Sequence, residues 1–226
     1  MKKFLIIVLA FTFSWAVAQK SETRSLPEFT GVKVMEGIDV YLKKGDKESV
    51  RIEVTGTDLA NVITEVSGFY LKVHMREGRY HGKMEVKAYV TYVNVDKLAA
   101  SSAGTIFAEN TLAAGDIEIS ASSAGIIEVT VEASRTEATA SSAGSIELKG
   151  KCKSMILDVA SAGKIDAGDL QCDHVEAEAS SGGSAQVNAL KSIVARASSG
   201  GSVRYRGNPE KQNNSSSSGG SVRRSN

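Results

Sequence analysis

Three carboxylates, Glu128, Glu147 and Asp166, each stand three residues after a glycine (Gly125, Gly144 and Gly163) in three successive stretches of similar sequence. Carboxylate oxygens are the ligands a hard cation such as Ca²⁺ takes, and two of them flanking a glycosidic bond make the acid and base of sugar hydrolysis. The same spacing also describes a solvated charged face, with Lys149 and Lys164 close enough in sequence to balance it. Like charges set side by side lose some stability without a counter-ion. Glu118 and Glu137 form a shorter acidic column of the same kind. The Asp- and Gly-rich nonapeptides of calcium-binding β-rolls are absent, as is the hexapeptide acyltransferase pattern. Glu128, Glu147 and Asp166 are therefore carried forward as a candidate ligand or cation face, weighed against a plain charged surface.

Cys152 and Cys172 each lie eleven residues before a glycine of this series, Gly163 and Gly183. If the two stretches stack, their Cα atoms come within the range of about 4.4–6.8 Å that a disulfide needs. The matching residues elsewhere, Val93, Ala114, Ala133 and Leu190, are apolar, so an inward site holding free thiols as small hydrophobes is the competing reading. Either role is structural. The three histidines, His74, His81 and His174, follow no metal-ligand spacing, and no Gly-x-Ser-x-Gly elbow marks a serine nucleophile. No catalytic residue, metal ligand or cofactor is assigned. Tyr80, Tyr89 and Tyr92, with Arg76 and Arg79, have the composition of a patch that contacts sugar or peptide, and equally of side chains that pack a cap.

What must position these groups is a repeat. A Ser/Ala-Ser-Ala/Gly-Gly tetrad closes on Gly104, Gly125, Gly144, Gly163, Gly183, Gly201 and Gly220, with steps of 18 to 21 residues. Aligned on that glycine, the sixth residue before it is Leu98, Ile119, Ala138, Leu157, Ala177 and Ala195, while the second after it is Ile106, Ile127, Ile146, Ile165, Ala185 and Val203. Charged residues alternate with these apolar ones, the period-two signature of a half-buried strand. Two short strands and a corner in about twenty residues describe one coil of a parallel β-helix. The glycine is expected to supply a backbone angle closed to other residues, and the serine two before it (Ser102, Ser123, Ser142, Ser161, Ser181, Ser199, Ser218) to form a hydroxyl ladder along the axis.

The flanks frame this domain. Lys2, Lys3 and the apolar run to Val17, followed by Ala18, read as a secretory signal peptide over residues 1–18. The run is shorter than the about 20 residues of a membrane span, so no transmembrane segment is expected in the mature chain, and no cysteine follows it to carry a lipid. Residues 19–28 read as a flexible lead-in, 29–206 as the β-helix (29–92 irregular first coils, 93–206 regular repeats), and 207–226 as a polar tail or frayed last coil. Thr57 and Asp58 before Leu59–Ile63 read as a capped helical turn. In the 226-residue chain, 27 Lys and Arg nearly cancel 26 Asp and Glu, which removes the field that nucleic-acid binding relies on.

Phe29-Thr30-Gly31-Val32-Lys33-Val34, Gly37-Ile38-Asp39-Val40-Tyr41-Leu42, Val50 to Val54 and Gly68 to Val73, together with the Ser-Ser-Ala-Gly rungs, resemble the head GIN domain family of putative auto-transporter adhesins, exported proteins common in Bacteroidetes. The resemblance implies an all-β, single-stranded right-handed parallel β-helix and an envelope location: periplasm, outer-membrane surface or extracellular. Gly37-Ile38-Asp39 departs slightly from the Gly-Ile-Asn of the label. The chain ends in Ser, Asn and Arg rather than barrel strands, so self-export is not expected. The functional expectation is a non-catalytic, adhesin-like module that binds surface polysaccharide or protein. The alternatives are a carbohydrate-active lyase or hydrolase, and a scaffold that associates with its own copies.

Overall fold

A computed structural model describes residues 19–80 and 82–225. The expected signal peptide falls outside the described residues, as does His81. The alternating stretches form the strands β1 (Lys20–Ser25), β2 (Gly31–Val34), β3 (Asp39–Lys44), β4 (Ser49–Thr55), β5 (Val62–Ser67), β6 (Tyr70–Met75), β7 (Glu85–Tyr92), β8 (Lys97–Ala100), β9 (Thr105–Ala108), β10 (Leu112–Ala121), β11 (Ile126–Ala140), β12 (Ser145–Val159), β13 (Lys164–Ala179), β14 (Ser184–Ala197), β15 (Ser202–Arg206), β16 (Lys211–Ser216) and β17 (Ser221–Arg224). They wind into a β-solenoid of about seven turns.

Register makes the repeat physical. Ile106, Ile127, Ile146, Ile165, Ala185, Val203 and Val222 stand in one column, each paired with the next one coil on. Leu98, Ile119, Ala138, Leu157, Ala177 and Ala195 form the facing column. All but Val222 of these are buried, and full burial of each large aliphatic side chain stabilises by roughly 1.5–3 kcal/mol. Small residues in one column let the opposite wall come close, which keeps the coil thin.

Two expectations about the coil change. From β11 to β14 the chain is one strand of 14 to 16 residues from tetrad to tetrad, rather than two short ones, and it bends in mid-course while its hydrogen bonds continue. At that bend β13 and β14 slip in register between Ala167 and Gln171, absorbing coils of unequal length. As a result Ala189, not Leu190, lies beside Cys172, and Leu190 is 45% exposed.

The corner also works differently. Positive φ falls on the serine and the residue after it, as at Ser123 (48°) and Ala124 (60°), while the closing glycine has an ordinary φ. Gly125 N–H donates to the Ser122 carbonyl at 2.8 Å, which with both central φ positive is a type I′ turn. The glycine is required by crowding: a Cβ on Gly125 would lie 2.3 Å from the Ala100 carbonyl oxygen of the previous coil, and one on Gly144 would lie 2.4 Å from that of Ala121. The ladder along the axis runs through the main chain, with Ala103, Ala124 and Ala143 N–H donating to the carbonyls of Ser123, Ser142 and Ser161 at 3.1–3.2 Å. Among the described residues, no hydrogen bond joins successive serine hydroxyls.

The described strands before residue 93 thread out of order. β2 and β3 make a coil that lies between β6–β7 on one side and β8–β9 on the other. β4 then runs antiparallel on β7 and β5 antiparallel on β6, closing that end. Residues 20–25, read as flexible, are the antiparallel edge strand β1 on β4, exposed and charged, which discourages edge-to-edge pairing. After Asp58 the chain makes only the 3₁₀ turn Leu59–Asn61, with no side-chain cap.

At the other end, where fraying was expected, β16 and β17 continue the stack on β14 and β15. Gln212 and Asn214 take the positions of Ile193 and Ala195. The Tyr205 hydroxyl donates to Gln212 Oε1 at 2.8 Å and accepts from Asn214 Nδ2 at 3.4 Å, so this end closes on hydrogen bonds.

Candidate ligand face

The strand that follows each corner alternates inward aliphatics with outward side chains, so residues three beyond successive corners must align on the outside. Glu128 pairs with Glu147, Glu147 with Asp166 and Asp166 with Gln186. Gln186 then pairs with Arg204 and Arg204 with Arg223. In the other direction Glu128 adjoins Phe107, then come Tyr41, Tyr89 and Arg51. One outward column thus runs the length of the solenoid: a cation, three aromatic rings, three acids, an amide and two more cations.

The aromatic part is ordered by its rings. Tyr41 stacks on Tyr89 at 5.2 Å and on Phe107 at 5.3 Å between centroids, with interplanar angles of 19° and 21°. The Arg51 guanidinium sits 4.3 Å from the Tyr89 centroid and pairs with Glu53. Partial burial, then the Glu53 charge, push the Tyr89 phenol up. A shallow depression of about 310 Å³ beside the rings is lined by Lys43, Ser49, Thr91 and Glu109. Because the rings stack along the axis, they offer solvent their edges and hydroxyls more than their faces.

The acids line up but do not converge. Glu147 accepts from Lys149 at 2.8 Å, and that hydrogen bond, then the carboxylate charge, holds the lysine above its usual range. The Asp166 carboxylate accepts from its own Gly168 N–H at 3.2 Å. Among the described residues, no three His, Cys, Asp or Glu side chains come close enough to hold a metal ion. The depressions beside the acids measure about 170 and 80 Å³, below the roughly 300 Å³ at which small-molecule sites begin. The acidic part of the column suits contact with an extended partner better than enclosure of a small one.

Other sequence candidates scatter. Tyr92 points inward and is buried, while the Tyr80 hydroxyl donates to the Arg76 carbonyl at 2.5 Å in the connection between β6 and β7. Only Tyr89 of that group joins the face. Arg51 and Tyr41 were missed as neighbours of the acids in this column, whereas Phe107 stands in their phase three residues after Gly104. His174 Nδ1 lies 2.8 Å from Ser192 Oγ, a pair the sequence did not reveal, but it sits exposed at the bend and no third group among its hydrogen bonds orients the ring. Cys152 and Cys172 are in register with Cα atoms 4.6 Å apart and sulfurs at bonding distance, both in the core.

Residues 28–209 match the family described as "Putative auto-transporter adhesin, head GIN domain". A solved structure of a "putative adhesin" from Bacteroides fragilis NCTC 9343 matches with a TM-score of 0.81 at 20% identity, over 93% of this chain and 98% of that one. A "putative adhesin" from Parabacteroides merdae ATCC 43184 gives 0.73 at 15%, over 92% and 96%. A "putative lipid binding protein" from Parabacteroides distasonis ATCC 8503 gives 0.67 at 17%, over 92% and 97%. No curated protein matches the sequence. At these identities the neighbours establish the solenoid, and the family pattern spans both its irregular and its regular coils; the chain belongs to the head GIN domain family.

Proposed function

We propose that this chain is an exported, non-catalytic envelope module that binds surface polysaccharide or protein along the outward face running from Arg51 to Arg223. The observation that carries this reading is the unbroken column of aromatic, acidic and basic side chains on one flank. A rigid ladder holds such groups at a fixed repeat of about 4.8 Å, so a partner meets a preorganised surface and little side-chain freedom is lost on contact. The names of its relatives support an adhesin-like role, and the apolar start of the sequence supports export.

The mature chain, residues 19–226, should bind members of a glycan array or capture envelope proteins, and charge reversal at Glu128 with alanine at Tyr41 should weaken the hits at least about tenfold. Binding that survives both changes would place the contact on another flank, and an array and capture screen at background level would remove the reading. An enzyme remains the rival class; turnover of any polysaccharide that persists when Glu128, Glu147 and Asp166 are all alanine would exclude these carboxylates from catalysis.

A further inference from the structure

Two outward columns run side by side across β4, β7, β3 and β9. The first is Arg51, Tyr89, Tyr41 and Phe107, and the second, two residues along each strand, is Ser49, Thr91, Lys43 and Glu109. Glu109 takes its place because its N–H donates to the Leu42 carbonyl at 2.9 Å, beside Lys43. Both columns line the depression of about 310 Å³, which reaches the roughly 300 Å³ at which small-molecule sites begin. Four strands at 4.8 Å per step span about 14 Å, more than the width of one sugar ring.

The first column has used up its ring faces. Tyr41 stacks between Tyr89 and Phe107, and Arg51 covers Tyr89 from the other side. What borders the depression is therefore ring edge, the positive side of the aromatic quadrupole, together with phenol hydroxyls. The second column adds the hydroxyls of Ser49 and Thr91 and the ammonium of Lys43. Arg51 is paired with Glu53, but among the described residues Lys43 and Glu109 make no ion pair. Nor, among those residues, do the hydroxyls of Tyr41, Ser49 and Thr91 take a hydrogen-bond partner. Donors around an unpaired ammonium suit an anionic oxygen. Glu109, the one carboxylate in the lining, accepts only and so suits a hydroxyl of the same ligand. No Leu, Ile, Val or Met side chain lines the depression, so an apolar ligand has little to bury against.

The geometry points to an acidic oligosaccharide as the ligand of this depression, with a uronate carboxylate on Lys43 and the neighbouring hydroxyls, and sugar hydroxyls donating to Glu109. The inference rests on the reading that this flank is the binding face, and it names the ligand class and the part of the face that takes it. An acidic peptide brings the carboxylate without vicinal hydroxyls. A neutral glycan brings the hydroxyls without the charge. A uronate uses Lys43 and Glu109 together.

Isothermal titration calorimetry of residues 19–226 with oligogalacturonate and oligomannuronate tests this, against their methyl esters, a neutral dextran oligosaccharide and oligoglutamate. The expected result is that one of the acids binds at least about tenfold tighter than its ester, the dextran or the peptide. Lys43→Met and Glu109→Gln should each weaken that binding by at least about tenfold. Lys211→Met, an equal loss of charge on another flank, should leave it unchanged. All three side chains are exposed, and circular dichroism shows whether each variant keeps the strand content of the parent. Binding that survives Lys43→Met or Glu109→Gln, or that the ester or oligoglutamate matches, overturns the proposal. A chain that ignores both acids but captures other glycans or envelope proteins through Tyr41 and Glu128 loses this ligand while the binding face stands. A chain that binds none of these removes both.

Discussion

At the scale of the residue, the tetrad divides its labour between conformation and clearance. Ser142 and Ala143 bear positive φ at 49° and 61°, a strain of about 1 kcal/mol or more for a residue with a Cβ. Gly144 bears none, but it lies where a methyl would meet the Ala121 carbonyl. Ala143→Gly should therefore be neutral or stabilise by up to about 1 kcal/mol, as the natural Gly182, Gly200 and Gly219 at the same place imply. Gly144→Ala should cost about 2–3 kcal/mol. Urea melts of the two variants check the contrast, and equal destabilisation would return the glycine to a conformational role. Thr136 offers a second case. It is fully buried between Ile117 and Met155 with no hydrogen-bond partner for its hydroxyl, so Thr136→Val should gain about 1 kcal/mol by removing an unsatisfied polar group. A loss on the same melt would mean that water reaches the hydroxyl.

At the scale of the element, adjacent strands β12 and β13 bring Cys152 over Cys172. A bridge closing a loop of 20 residues stabilises by about 3 kcal/mol on the chain-entropy account. The unreduced, denatured protein should present no free thiol to a thiol reagent, and reduction should lower the melting temperature; two reactive thiols before reduction would make these cysteines simple core residues. The interior columns were legible in the sequence because a fixed glycine sets the phase of a period-two pattern. The first corner was not, because its closing position holds Ile38. Glu36 and Gly37 take the same positive φ as a tetrad, 64° and 69°, and Gly37 N–H donates to the Ser102 carbonyl. Yet Ile38 is accommodated there as a buried side chain, where Gly125 and Gly144 cannot carry one. Counting three residues on from Ile38 gives Tyr41, as counting from Gly104 gives Phe107. The aromatic end of the face was thus written in the same phase as its acids and hidden by one missing glycine.

At the scale of the molecule, a solenoid is stable only if both ends are closed, because each coil buries a face against the next. The amino-terminal end is closed by chain reversal, with antiparallel β4, β5 and β1 over the first parallel coils. Nothing in a period-two pattern distinguishes antiparallel from parallel neighbours, so this part was not readable. The other end is closed by composition. The polar run through Asn213 and Asn214 reads in sequence as a tail or a frayed last coil, and it is held in the stack because Tyr205 of the coil before binds Gln212 and Asn214. Ending the chain after Arg206 would remove β16 and β17, uncover the edge of β14 and β15, and open Ile193 and Tyr205 to water. Such a chain should still fold, since the larger stack is intact, but it should associate through its raw end. Edge pairing is driven by backbone hydrogen bonds and apolar burial, and with one raw end per chain it should stop at an end-to-end dimer that persists at high salt. Light scattering of the truncated chain across a salt series checks this. A truncated chain that remains as monodisperse as the parent would show that β16 and β17 are dispensable ornament, and that the preceding coil is already a sufficient cap.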